Sequence, residues 1–309
     1  MAKQQTFAGL AWKNKRKKTR REHFLNEMNQ IIPWKMLTGL IEPYYPKAGR
    51  GRQPLGLEKM LRIYLLQIWF DLSDPAAEDA IYDSESMRRF AGVELSDDGV
   101  PDESTILRFR HLLEKHNLTE VMFEQINGAL EAKGLLLRSG TIVDATMIAA
   151  PSSTKNSTNS RDPEMRQAKK GNTWHFGMKV HVGTDRHGVV TQMDALLHGQ
   201  EGEVFGDQAY WKEADRQRFH AQGVRYRVNR RGTHAHPLTE HQKKINQSRS
   251  RTRAQGEHAF RIVKQLWGFA KVRYRGLMKN TARAFATFAL ANLYLVRKFI
   301  VPDRERCLC

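Results

Sequence analysis

The sequence predicts an α+β protein, with a helical N-terminal half followed by a mixed α/β half. Three observations carry this. Between Glu22 and Lys133 the apolar residues recur at helical spacing. At Gly134 the pattern changes to alternating β-branched and apolar residues. Beyond that point short strand-like runs are interleaved with helical stretches. The 309 residues, 40% hydrophobic, suffice for one large or two modest domains. The boundaries read as a basic arm over 1–21, a helical domain over 22–135, a mixed α/β domain over 136–300 and a tail over 301–309.

Charge narrows the function. The formal net charge is +18 and the pI about 10.0. That balance points to a polyanionic partner, nucleic acid before an acidic membrane surface. The two cysteines, Cys307 and Cys309, exclude a disulfide framework and a zinc module, and fit a reducing cytoplasm. The first residues lack the apolar core of a signal peptide. The longest uncharged apolar run, Ala284 to Val296, is too short to span a bilayer and reads as a buried helix.

The elements follow in order. Residues 13–21, KNKRKKTRR, hold seven cations in nine positions. Lys15, Arg16, Lys17 and Lys18 make a basic arm, disordered alone and ordering on a phosphate backbone. Glu22 to Leu40 is helical, interrupted at Pro33. After a loop rich in Pro, Gly and Arg, Leu57 to Phe70 is a strongly apolar helix at the centre of this half. Asp74 to Phe90 is a further helix with Pro75 in its first turn. Asp102 or Ser104 caps a helix reaching His116. The pair 74–90 and 104–116 has the look of a helix-turn-helix-like unit, although its link is longer than the usual tight turn. On that reading Arg108 and Arg110 face outward to DNA; plain helix packing is the alternative. Leu118 to Lys133 closes the half.

In the second half, Ser139 to Ala150 alternates as a strand, with Ile142, Asp144, Thr146 and Ile148 on one face. Asp144 is the anomaly. A charge among apolar neighbours is costly unless paired or bound to metal; a capping or salt-bridged Asp is the plain alternative. Residues 151–173 read as a polar loop, Trp174 to Thr184 as a second strand, 185–188 as a turn, and the run from Gly188 as a third strand. His175 and His181 lie on a strand face without the further ligands a metal pattern needs. Glu203 to Trp211 reads as a further short strand ending at an acid, Asp207. An acid at a strand end before a helix is where sites form in open α/β sheets, and equally a common N-cap. Residues 212–223 are helical, Val224 to Asn229 a short strand, and Leu238 opens a helical tail. There Arg253, Glu257 and Lys264 share one stripe, beside an apolar stripe of Phe260, Val263 and Trp267. Arg253, Arg261 and Lys264 suit a phosphate backbone. Glu257 makes sense beside that backbone if a divalent metal lies between; the alternative is a salt-bridged surface helix with Glu257 paired to Arg253 and Arg261. Trp267 to Gly276 is basic and aromatic, suited to backbone or base contact. Thr281 to Ile300 is the closing helix.

Asp144, Asp207 and Glu257 are thus three carboxylates in a very basic chain. Oxygen-only ligands select Mg2+ or Mn2+. Two such ions about 4 Å apart clamp the attacking and leaving oxygens of a phosphoryl transfer.

The segments TIVDATMIAAPSSTKN, HFGMKVHVGTDRHG, VFGDQAYW, VRYRVNRRGT, SRTRAQGEHAFRIVKQLWGF and KVRYRGLMKNTARAFATFALANLYL resemble the insertion-sequence-5 family of bacterial DDE transposases, and the likeness covers nearly the whole chain. The resemblance implies a ribonuclease-H-like catalytic domain, two Mg2+ ions, and cutting and transfer of terminal inverted repeats in double-stranded DNA. It implies at least a dimer on DNA, no membrane partner, and a bacterial cytoplasmic, nucleoid-associated setting. The family's catalytic, metal-binding triad maps onto Asp144, Asp207 and Glu257. Its tyrosine–arginine–glutamate–lysine signature maps onto Arg253, Glu257 and Lys264. Ser250 stands in place of the tyrosine. Between Gly188 and Gly202 this chain is shorter than its relatives, and only 21 residues lie between Asp185 and Asp207. That shortening predicts a third strand cut down or lost, a perturbed sheet, and weakened or absent activity. Three readings follow: a transposase, a catalytically impaired relic that only binds DNA, and a basic RNA-binding protein that needs none of the acids.

Overall fold

A computed structural model describes residues 12, 14–50, 53–95, 99–157, 159–170, 172–193, 196–233 and 235–301. Most of the expected N-terminal segment before Lys15, and the tail after Val301 with Cys307 and Cys309, lie outside the described residues.

Helix α1 (Arg20–Ile31) opens with a capping box: Glu22 N–H donates to Thr19 Oγ1 at 3.2 Å, and the Glu22 carboxylate accepts from Thr19 N–H. Lys15 pairs with that same carboxylate and lies over the Trp12 ring, whereas Arg16, Lys17 and Lys18 are exposed. Pro33 separates α1 from α2 (Trp34–Ile41). Helix α3 (Leu57–Trp69) is the buried centre of the helical half.

The helix expected over 74–90 is two, α4 (Asp74–Asp83) and α5 (Glu85–Ala91). Ser84 is extended, and Arg88 Nη1 donates to the carbonyls of Ile81 and Tyr82 at 3.1 and 2.8 Å. The guanidinium takes over acceptors that the break frees. Asp102 caps α6 (Glu103–Lys115), accepting from Thr105 N–H at 2.6 Å, and α7 (Leu118–Ala132) follows.

The sheet is built from β1 (Thr141–Ala149), β2 (Arg166–Lys170), β3 (Thr173–Thr184), β4 (Val190–Gln192), β5 (Glu203–Gly206) and β6 (Arg225–Val228). Its order is β2-β3-β1-β5-β6, with β4 also on β3. Strand β1 is antiparallel to β3 and parallel to β5, and β5 is parallel to β6. Strand β2 corrects the expectation of a loop over 151–173. It is an edge strand with exposed Arg166, Gln167 and Lys169, so it carries no apolar alternation to reveal it. Helix α8 (Glu213–Ala221) covers one face, where Val143, Val204 and Phe219 pack. On the other, one apolar core joins Ile148 and Val180 of the sheet to Leu65, Ile126 and Phe288 of the helices, the last on the closing helix α11 (Leu277–Ile300).

The third strand, expected to be cut down, is present but three residues long. It pairs with β3 through a register shift between Gly183 and Thr184. Two buried asparagines hold it. Val190 N–H donates to Asn292 Oδ1 at 2.8 Å, and Asn292 Nδ2 donates to Val190 O at 2.7 Å and to Asn127 Oδ1 at 2.8 Å. Asn127 Nδ2 also reaches Val190 O at 3.0 Å. Helices α7 and α11 thereby supply hydrogen bonds that so short a ladder lacks. Asn292→Leu leaves Val190 N–H and Asn127 Oδ1 without their partner in a buried core. We expect a loss of about 3 kcal/mol or more in denaturant unfolding, because each buried unpaired group costs about 1–3 kcal/mol.

Candidate active site

The site begins with a backbone ladder. Val143 of β1 pairs with Gly206 of β5 in parallel register. The next residues are Asp144 and Asp207. Neighbouring strands lie about 4.8 Å apart, so the two acids stand side by side where β5 ends. Asp207 also caps the short 3-10 turn Gln208–Tyr210, its Oδ1 accepting from Ala209 N–H at 2.8 Å. The cap and the site position coexist.

Glu257 arrives from the helical tail. Helix α9 (Glu240–Arg253) passes through a 3-10 turn, Ala254–Gly256, into α10 (Glu257–Arg261) and then a π-helical turn, Ile262–Leu266. The expected single helix is therefore one continuous path of changing pitch. Gly256 explains how close it comes to the sheet: a Cβ there would meet Thr184 Oγ1 at 3.0 Å and Ile142 Cγ2 at 3.3 Å. Ile142 shares its face of β1 with Asp144.

Arg253 joins the acids. Its Nη1 donates to Asp144 Oδ2 at 2.8 Å and its Nη2 to Glu257 Oε1 at 3.4 Å. Burial pushes the Asp144 carboxyl above its usual range, against the pull of the Ala145 amide and the Arg253 charge; Asp207 and Glu257 add to the upward push. Among the described residues, no three His, Cys, Asp or Glu side chains converge as a ready metal cluster. A guanidinium, rather than open space, lies between Asp144 and Glu257. The donors are nonetheless all carboxylate oxygens, the set a hard divalent cation takes.

Lys264 lies on the same side, its Nζ donating to Thr146 Oγ1 at 3.2 Å and Met147 O at 2.9 Å. Arg261 is exposed, while Val263 and Trp267 are buried, as the apolar stripe predicts. Two residues unremarked as a pair meet on the other face of the sheet. His181, cross-strand from Ala145, hydrogen-bonds Tyr210 Oη at 2.8 Å. Burial, then Asp144 and Asp207, hold that phenol well above its usual range. Tyr210 lies three residues past Asp207, the one signal that could have found it.

Packing between the two halves corrects two expectations. Arg108 is exposed on α6, but Arg110 is 5% exposed and turned inward. It pairs with Asp74 at 3.0 Å and Glu114 at 2.8 Å, and lies 3.9 Å from the centroid of the Tyr274 ring. Residues two apart on a helix diverge by about 200°, so the two arginines cannot share an outward face. Likewise Trp267 and Phe269 are core and Arg273 pairs with Asp71 at 2.8 Å, leaving Lys271 and Arg275 exposed. Most of the segment expected to touch DNA instead binds the two halves together.

A family model described as a transposase DDE domain matches residues 136–293, and one described as a transposase domain (DUF772) matches residues 13–112. The chain belongs to the DDE transposase family. No solved structure matches it. As a transposase it acts on DNA, in transposition and recombination. Among the described residues no helix of this transposase is long and apolar enough to cross a membrane.

Arg253→Gln tests the electrostatics of this cluster. The guanidinium stabilises Asp144 only while that carboxyl is ionised. The variant should therefore lose about 1 kcal/mol at pH 7, and the deficit should close as pH falls through the raised Asp144 pKa. Thermal unfolding at pH 7 and pH 4 checks this.

Proposed function

We propose that this protein is a transposase of the insertion-sequence-5 type that binds the terminal inverted repeats of its element and cuts and transfers DNA strands at Asp144, Asp207 and Glu257. The observation that carries the proposal is the parallel register that sets Asp207 beside Asp144, with Glu257 tied to Asp144 through Arg253. A central strand antiparallel to one neighbour and parallel to the next two supports a ribonuclease-H-like reading of the catalytic part, 136–300.

Asp144, Asp207 and Glu257 would hold two Mg2+ or Mn2+ ions, which supply charge for the attacking and leaving oxygens. The chain's own groups do the rest. Arg253 spans two carboxylates in the free protein, and a planar guanidinium can exchange a carboxylate for a phosphate in the same fork geometry. Lys264, anchored to β1, stiffens the strand that carries Asp144 and presents a cation next to it. Exposed Arg108 in a helical DNA-binding part over 22–135, exposed Arg16, Lys17 and Lys18 of the arm with Lys15 at its base, and exposed Arg261 beside the acids are the remaining cations proposed to contact DNA. Arg110, turned inward, is withdrawn from that set. Joining two element ends calls for a homodimer on DNA, in a cytoplasmic, nucleoid-associated setting.

One observation favours a second reading, a relic that binds DNA without cutting it: β4 has only three residues and a shifted register. Strand transfer with the element's own ends separates the two. On the main reading Asp144→Asn, Asp207→Asn and Glu257→Gln each lower cleavage by about a thousandfold or more with binding retained. Wild-type protein that binds the ends and never cuts supports the relic. Asp144→Asn cutting as well as wild type removes the triad assignment.

A further inference from the structure

On the far side of Asp207 from Asp144 the sheet ends in arginines that the transposition chemistry above does not use. The parallel register runs on: Gly206 of β5 pairs with Val228 of β6. Asp144, Asp207 and Asn229 are therefore consecutive neighbours across three strands, and Arg230 comes next. Two strand spacings are about 10 Å, about three base steps of axial rise at about 3.4 Å each in duplex DNA.

The exit of β6 is held on one face of α9. Asn246 bonds both the N–H and the carbonyl of Arg230, each at 3.0 Å. Arg249 Nη1 donates to Val228 O at 2.7 Å, and Ser250 Oγ accepts from Asn229 Nδ2 at 2.9 Å. Positions three and four apart on a helix share a face, so the three side chains act as one clamp. Ser250, where the family signature has tyrosine, is thus a working part of this clamp.

Around it the charge is unbalanced. Arg249 lies among Arg227, Arg230 and Arg216; burial first, and then those three charges, push its guanidinium below its ordinary range. Its buried Nε has no hydrogen-bond partner among the described residues. Arg227 meets Glu203 at 2.8 Å, but Glu203 also serves Arg186 and Arg225. Arg216 pairs with Glu213 at 2.7 Å, both about half exposed, a contact worth little. An aromatic wall stands beside the cluster. Trp211 lies 5.6 Å from Arg230 and 5.4 Å from Tyr226, whose hydroxyl donates to Tyr210 O at 2.8 Å. A rigid set of like charges costs stability unless an anion relieves it, and guanidiniums beside an indole suit phosphates with a base stacked nearby.

We infer that Arg216, Arg230 and Arg249, with Trp211 beside them, form a second DNA site, which grips the phosphates of the strand leaving the acids on the Asp207 side. The inference rests on the DNA-processing reading, but its test measures binding and not cleavage. Full-length Arg216→Gln/Arg230→Gln and wild type are titrated against labelled duplex and single-stranded DNA by fluorescence anisotropy across a salt series, without divalent cations. Each lost phosphate contact lowers the slope of log K against log salt by about 0.9 on duplex and 0.7 on single strands. The double variant should therefore lose about 1.8 on duplex or about 1.4 on single strands, the probe that reaches its expected loss naming the form bound. Lys298→Gln, an exposed charge on α11, should leave the slope unchanged. Thermal unfolding confirms the fold; if the double variant is unfolded, Arg216→Gln alone should show half the change. An unchanged slope in folded protein, or an equal fall in Lys298→Gln, overturns the site. An unchanged slope alongside a cleavage-dead Asp144→Asn removes this surface only. A fallen slope alongside an Asp144→Asn that still cuts removes the triad and leaves the surface standing.

Discussion

The pairing of Val143 with Gly206 decides which acids stand side by side in this protein. It is a backbone constraint, made of ladder hydrogen bonds between a central strand and its parallel neighbour. A slip of one residue would turn Asp144 to the opposite face and carry it away from Arg253. The register is defended on both sides: β3 pairs with β1 from Ile142 to Ala149, and β5 holds the other edge. Burial of Ile142, Val143 and Ile148 on alternating faces makes any slip expensive.

The second constraint is the helical path that brings in Glu257. Gly256 lets it press on Ile142 and Thr184, and Arg253 then bridges the strand acid to the helix acid. Three carboxylates without a cation would repel one another across a half-buried site. The guanidinium offsets part of that repulsion and keeps the acids near one another. On the proposed reading a metal ion would take over its charge, and DNA and cation arriving together would have a residue to displace and a phosphate to give it.

Much of this was legible in the sequence, for identifiable reasons. Asp144 stood out because a charge in a β-branched run contradicts local preference, and Glu257 because its spacing from Arg253 and Lys264 put them on one helix stripe. Asp207 was legible as an acid at a strand end. The placement of Arg110 was not, because its partners Asp74 and Tyr274 lie far along the chain and only the fold brings them together. Strand β2 was hidden by its polar edge, and the break at Ser84 by side-chain bonds from Arg88. Asn292 carries no signal in the apolar run around it, yet in the fold it holds the backbone of the short strand β4. The arginine cluster at the end of β6 is likewise a product of register, since Arg216, Arg230 and Arg249 share no sequence period.

We propose that the three acids form one cation site, with Arg253 between Asp144 and Glu257 in the free protein. Mn2+ is titrated into the full-length protein and its binding read from the loss of the free-ion electron paramagnetic resonance signal. Wild type should bind, Arg253→Gln should bind more tightly, and Asp207→Asn should lose binding; equal Mn2+ binding by wild type and Asp207→Asn would remove the shared site.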